Sequence, residues 1–349
     1  MLESAMQDRA GHTFHGRYKC EDDTGRHFGS KPTLSPSTFD SVLKRDHQYE
    51  PELAYLCSVI AGWSYADGVT LAKQLKYYGL AGASIEEFAV TNEVMCIVAT
   101  AYLIRSRCGR IAILSFRGTE PTSVINWLTD ADVALRSFHG RGAVHRGFYT
   151  NLRSVWGDVS HALLKMMQAD EAGEGKGNGN GRSARLERLY ITGHSLGGAM
   201  AVLAAARILL EGDRRWQEAL SGVYTFGQPA VGDRVFAKEF SQPLDTLLFR
   251  HEFRADVVPR LPPTATGDFV HVGTVRVAES AGSAWNAPAT IARQANHLLY
   301  TAVSVLGSFA LRRLPMTAKW ERALFRYSLL DDHTPSRYIE ASRFSLLSY

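Results

Sequence analysis

The sequence predicts an α/β fold with a mostly parallel central sheet covered by helices on both faces. Three observations point there. Apolar runs of strand length alternate with longer helical ones through the middle of the chain. The segment Gly193-His194-Ser195-Leu196-Gly197, of the form Gly-x-Ser-x-Gly, sits between a strand-like run (Leu189 to Thr192) and an Ala/Leu-rich helical run (Met200 to Leu210). The composition is that of a soluble globular protein: 349 residues, 45% hydrophobic and 21% charged, with a net charge of +4.

Residues 1–45 are polar and read as a loose N-terminal arm, and 46–349 as a single domain. Helical apolar spacing begins at Pro51 and continues to Trp63, and a second helix is expected over Val69 to Tyr78. Val94 to Arg105 and Ile111 to Phe116 are β-rich and, joined by a short turn, read as adjacent strands. Glu120 to Phe138 places Val124, Ile125, Trp127 and Leu128 on one face, with Asp130, Asp132 and Arg136 as polar counterparts. That pattern is an amphipathic helix, either packed on the core or serving as a lid. His145 to Phe148 leads into a helix through Met167, followed by a Gly-rich tract at 171–183 that cannot build a core and reads as a surface loop.

After the Ser195 turn and its helix, Gly212 is a candidate C-cap. Val223 to Phe226 is a strand, Asp233 to Phe240 a helix, Thr246 to His251 a strand and Phe269 to Val275 a β-like run. The longest apolar run, Leu298 to Leu311, has about fourteen residues, short of the ~20 that span a bilayer. It reads as a core helix, with acyl-chain binding or a membrane-surface position as alternatives. No internal repeat is visible.

Composition narrows the function classes. Mild basicity without Lys/Arg blocks interleaved with aromatics argues against nucleic acid, while attraction to an anionic membrane surface stays open. Cys20, Cys57, Cys96 and Cys108 are not spaced as a metal or redox pair and read as reduced, buried thiols. Met1 to Asp23 lacks an apolar core segment, so no standard secretory signal is expected. The expectation is a cytoplasmic protein or one exported by a signal-independent route, with peripheral membrane contact open.

A serine on a strand-to-helix turn presents its hydroxyl outward, and the next N–H, at the start of a helix, is free to stabilise an oxyanion. A structural glycine turn is the alternative. The hydroxyl needs a base, and the base an orienting acid, both downstream in this arrangement. Asp256, in a loop after the Thr246 to His251 strand, is the acid candidate, and a turn-initiating Asp is its plainer reading. Asp245 lies at the wrong end of that strand and Asp268 in a loop after a glycine. For the base, His271 reads as a strand residue and His297 as a helix cap, while His333 lies in a late loop suited to a proton carrier.

Several motifs in order resemble the class 3 lipase family, which contains the fungal triacylglycerol lipases. Phe116-Arg117-Gly118-Thr119 resembles the family's oxyanion strand end, and Asn126-Trp127-Leu128-Thr129-Asp130 its lid region. Val144 to Tyr149, Gly193 to Gly198, and Tyr224 to Pro229 with Val231-Gly232-Asp233 resemble three further segments. Asp256 to Pro259 resembles the acid loop, and Asp332-His333 with Tyr338 the base segment. The resemblance implies the α/β-hydrolase fold. It further implies Ser195 as nucleophile, Asp256 as acid, His333 as base, and an oxyanion hole of Thr119 and the Leu196 N–H. His194 and His145 match structural histidines of the family. Asp256 and His333 are 77 residues apart, a longer interval than in the compact fungal members.

The implied activity is hydrolysis of lipid esters without metal or cofactor, at a membrane or lipid-droplet interface and with no obligate protein partner. Phospholipase A1 and short-chain esterase are the alternatives within the class. A catalytically silent binding protein of the same fold is the alternative outside it.

Overall fold

The computed structural model describes residues 12–20, 48–92, 97–119, 134–168, 185–211, 214–262, 268–280, 282–287 and 331–348. In chain order the strands are β1 (His12–Lys19), β2 (Ser84–Asn92), β3 (Ile97–Arg105), β4 (Ile111–Phe116), β5 (Leu135–Ser137), β6 (Ala143–His145), β7 (Arg188–His194), β8 (Leu220–Phe226), β9 (Leu248–Phe253) and β10 (Thr274–Ala278). The helices are α1 (Pro51–Trp63), α2 (Gly68–Leu75), α3 (Arg146–Gln168), α4 (Leu196–Leu210), α5 (Arg214–Ala219), α6 (Arg234–Leu247) and α7 (Pro335–Leu347).

One eight-stranded sheet runs β1-β2-β3-β4-β7-β8-β9-β10, and β5 pairs with β6 in a separate hairpin. The first four strands form an antiparallel meander. From β4 onward every pairing is parallel. Through β9 the parallel half follows from helical crossovers between strands that are buried on both faces. In β4 the pleat sends Ala112, Leu114 and Phe116 into one apolar cluster and Ile111 and Ile113 into the other. The first cluster is covered by α3, α4, α5 and α6, the second by α1, α2 and α7. Pro51 opens α1, and the carboxylates of Asp67 and Asp233 cap α2 and α6 by accepting from the Thr70 and Phe236 N–H groups at 2.9 and 2.7 Å.

The structure corrects several expectations. His12–Lys19 is an ordered edge strand, paired along its length with β2, so that part of the polar arm is not loose. Its partner β2 escapes sequence reading because Glu86 and Glu87 are poor strand formers. Glu87 is nonetheless buried, and Tyr18 and Tyr102 donate hydroxyl hydrogen bonds to it at 3.0 and 3.1 Å. Leu135–Ser137, the tail of the expected amphipathic helix, is β-strand. Residues 246–247 end α6, so the next strand begins at Leu248. The last strand starts at Thr274, which leaves His271 in a loop. Cys108 is exposed in the β3–β4 turn, while Cys20 and Cys57 are buried thiols.

The rest of the arm, residues 120–133 of the expected lid, the 171–183 loop, Gly212, Cys96, His297 and the 298–311 run lie outside the described residues. No helix among the described residues is long and apolar enough to cross a membrane.

His251 on β9 shows how tightly the second cluster is sealed. Its ring stacks on Phe226 at 4.6 Å, and its nitrogens bond the Thr225 carbonyl at 3.0 Å and the Tyr49 hydroxyl at 3.2 Å. Burial pushes its pKa down from 6.5 to about 3. The folded state therefore keeps this ring neutral where the unfolded chain binds a proton. Stability from this site is present above pH 6.5 and drains away as the pH falls toward 3. We expect His251→Gln to flatten the loss of stability with acidification by about 1.4 kcal/mol per pH unit below about pH 6. Urea unfolding across that range measures the slope, and an unchanged slope would exclude a buried neutral imidazole.

Candidate active site

The site is assembled at the C-terminal edge of the parallel strands, where open α/β sheets leave a crevice. β7 turns into α4 at Ser195, which takes φ 58° and ψ −129°, a conformation that L side chains rarely adopt. Crowding explains the flanking glycines. A Cβ on Gly193 would stand 2.3 Å from the Gly197 backbone, and one on Gly197 would stand 2.1 Å from the Phe116 carbonyl oxygen. The turn is pinned from beside it: the Ser195 N–H donates to the Phe226 carbonyl at 2.9 Å. Leu196, the first residue of α4, is buried, and its N–H has no intrahelical acceptor.

Asp256 follows β9 and is 2% exposed. A buried carboxylate needs donors, and this one has them from both ends of the site. The Val258 N–H donates to Oδ1 at 2.9 Å, while the Tyr338 hydroxyl and His333 Nδ1 reach Oδ2 at 2.5 and 2.7 Å. Tyr338, on α7, also accepts from the Phe253 N–H at 3.3 Å. Asp332 braces the same junction, accepting from the Ala255 N–H and from Arg254, both at 3.3 Å.

His333 is fully buried. Facing a carboxylate, its Nδ1 must carry the proton, which leaves Nε2 as the basic nitrogen. Nε2 and the Ser195 Oγ are both buried without a hydrogen-bond partner among the described residues. They lie in one locus: the His194 ring, adjacent in sequence to Ser195, packs 4.6 Å from the His333 ring. His194 itself is bonded through Nδ1 to the Tyr65 hydroxyl at 2.9 Å. Burial, and then the neighbouring His333, hold its pKa well below 6.5. A neutral His194 adds no charge beside the His333 ring.

Thr119 lies just past β4 and is half-buried. The β4–β7 register sets Phe116 beside Gly193, which brings the Thr119 end of β4 to the start of α4. The structure thus gathers Ser195, Asp256, His333, Leu196 and Thr119 at one sheet edge. It keeps the rival residues elsewhere. Asp245 accepts from the Gly273 N–H at 3.0 Å, Asp268 pairs with Arg234 at 3.5 Å, and His271 bonds the Pro259 carbonyl at 2.6 Å. His145 stacks on Phe148 at 4.3 Å, on β6. The described residues contain no cluster of His, Cys, Asp and Glu that would grip a metal ion.

Sequence reasoning passed over two contributors. Tyr65 follows α1 and carried no motif, yet its hydroxyl would lie 2.1 Å from a Cβ on Gly118. Gly227 sits within a quoted segment, but its purpose is steric. Its φ is +58°, and a Cβ there would stand 2.9 Å from both Asp256 Oδ2 and His333 Nδ1.

Residues 113–266 match the family model for lipase (class 3). The triacylglycerol lipase OBL1 of Arabidopsis thaliana is 33% identical over 183 residues, covering 45% of this chain and 35% of the relative. The lipase ZK262.3 of Caenorhabditis elegans is 28% identical over 230 residues, covering 65% of this chain and 59% of the relative. The chain therefore spans less than two thirds of either relative's length. Among solved structures, lipase II from Rhizopus niveus superposes with a TM-score of 0.52 at 24% identity, over 66% of this chain and 81% of that one. That likeness is one of architecture, the α/β-hydrolase fold.

The Gly227 contact is directly testable. Gly227→Ala is expected to destabilise the protein by about 1–3 kcal/mol through strain at positive φ and displacement of His333. Urea unfolding reports it, and a change below about 0.5 kcal/mol would show that the turn has space to spare.

Proposed function

We propose, from the match of residues 113–266 to the family model for lipase (class 3), that this chain belongs to that family and hydrolyses carboxylic esters of lipids through Ser195, His333 and Asp256. The observation that carries the reading is the buried His333–Asp256 pair at 2.7 Å, together with a His333 Nε2 and a Ser195 Oγ on a strained turn that are both buried without a hydrogen-bond partner among the described residues. A buried hydroxyl without a partner costs about 1–3 kcal/mol. A reaction that uses that hydroxyl gives a reason to retain it.

In the proposed reaction the Ser195 Oγ attacks the ester carbonyl carbon while His333 Nε2 takes the hydroxyl proton. The new imidazolium is held by Asp256, whose other donors, the Val258 N–H and Tyr338 hydroxyl, fix the carboxylate's orientation. The tetrahedral oxyanion rests on the Leu196 N–H and on Thr119. Collapse expels the alcohol, which leaves with the proton from His333, and an acyl-serine remains. Water, deprotonated by His333, then attacks the acyl carbon, and Ser195 regains its proton as the acid departs. The related proteins named as triacylglycerol lipases favour a triacylglycerol over a small soluble ester.

The experiment is hydrolysis of p-nitrophenyl esters of increasing acyl length and of emulsified triacylglycerol, by wild type and variants. Ser195→Ala is expected to lose roughly 10³-fold or more in kcat, about 4 kcal/mol of transition-state stabilisation, while remaining folded. Asp256→Asn is expected to lose roughly 10²- to 10⁴-fold, and Thr119→Ala roughly 10- to 10³-fold. Near-normal turnover by Ser195→Ala would overturn the assignment of the nucleophile. Serine-dependent turnover confined to soluble short chains would overturn the lipid substrate while leaving the chemistry.

A further inference from the structure

Residues 134–157 hold four arginines and no aspartate or glutamate. They fold into the β5–β6 hairpin and the first half of α3. Arg136 and Arg153 are both exposed, and their guanidinium carbons lie 5.9 and 5.8 Å from the centroid of one ring, that of Tyr149. The ring is itself fixed: its hydroxyl is 2.9 Å from His139 Nε2, and Phe138 packs edge-on against it at 5.3 Å. A ring face orders a guanidinium without neutralising it and leaves the N–H edge turned outward. Neither arginine has a carboxylate partner among the described residues. Arg141, by contrast, pairs with Glu239.

Large apolar side chains are exposed next to this charge. Leu135 of β5 is 43% exposed and Val235 of α6 is 60% exposed. The start of α6 is fastened to the hairpin, since the Asp233 N–H donates to the Ala143 carbonyl at 2.9 Å and Phe236 packs on Phe138 at 5.3 Å. The hairpin also stands on the active-site edge. The His145 N–H donates to the carbonyl of Val231 at 2.9 Å, and Val231 follows the Gly227 turn that cradles His333.

Arginines with no carboxylate partner among the described residues, mixed with exposed aliphatic groups, match a surface that is anionic outside and apolar just beneath. We infer that the β5–β6 hairpin, with the first turns of α3 and α6, is a docking surface for an anionic phospholipid bilayer. It holds the catalytic edge against the membrane from which lipid esters are drawn. This orientation rests on the lipid-ester reading above, whereas the binding itself does not. An acidic protein is the other occupant such charge would suit. The exposed Leu135 and Val235 and the position at the catalytic edge favour the bilayer.

The test is co-sedimentation of the full chain with phosphatidylcholine vesicles, with and without phosphatidylserine. Ser195→Ala serves as the background, so loss of turnover does not enter the readout. Partition onto phosphatidylserine vesicles is expected, weakening as salt is raised. Removing both charges with Arg136→Gln and Arg153→Gln is expected to weaken partition roughly 30-fold. Arg136→Lys with Arg153→Lys, which keeps the charge, restores most of it. Arg188→Gln with Arg214→Gln, at the opposite sheet edge, leaves it unchanged. In the active protein, the Gln pair is expected to leave hydrolysis of a soluble short-chain ester unaffected. Equal partition by wild type and the Gln pair would overturn the inference, as would equal loss in the control pair. Failure of wild type to bind phosphatidylserine vesicles would overturn it in favour of an acidic protein. Inactivity toward every ester would sink the lipase reading without touching the partition result.

Discussion

A carboxylate cannot be left bare inside a protein, and much of this structure is arranged around that constraint at Asp256. Stripping water from an ion costs several kcal/mol unless fixed donors replace it. Here the donors come from the adjoining loop and from the far end of the chain. Tyr338 shows why they cannot be separated from the fold. Its ring belongs to the apolar cluster shared by α1 and α7, stacked on Trp285 at 6.0 Å, while its hydroxyl serves Asp256. Docking α7 and satisfying the carboxylate are therefore one event, and the C-terminal helix has both an apolar and a polar reason to stay in place.

The second constraint is space. The parallel strands bring β4, β7 and β8 close enough that their turns meet backbone to backbone. Gly193 and Gly197 are answers to that proximity, and Gly227 to the Asp256 and His333 side chains; at each a methyl group would enter an occupied volume. The strain at Ser195 persists because the strand before it, the helix after it and the Phe226 carbonyl beside it leave no relaxed alternative. Electrostatics then sorts the histidines. Burial holds His194, His251 and His271 neutral, with pKa values pushed below 6.5, whereas His333 alone among these four has a carboxylate against its ring.

Much of the parallel half was legible in the sequence because its elements are locally consistent. β4, β7 and β8 are short apolar runs, α4 is an Ala/Leu run, and each is bounded by its own turn residues. Ser195, Asp256 and His333 were the preferred candidates by residue type, chain order and local position, but local sequence did not exclude weaker rivals such as Asp268 and His271. The meander was less legible. β1 looked like part of a polar arm because its outer side is solvent. β2 carries two glutamates, and the burial of one, Glu87, makes sense only with Tyr18 and Tyr102 beside it.

What the sequence determined alone was therefore the periodic part: the layered α/β class, the strand-to-helix serine turn, and a short set of groups chemically able to move a proton. Periodicity and steric demand are written into neighbouring residues. Tertiary structure alone decided which carboxylate meets which imidazole across 77 residues, that Tyr338 and Val258 complete that carboxylate, and that Gly227 must stay small. It also decided that Arg136 of the β5–β6 hairpin reaches the Tyr149 ring on α3. Those facts depend on distances between segments set by sheet register and packing, which no local pattern encodes.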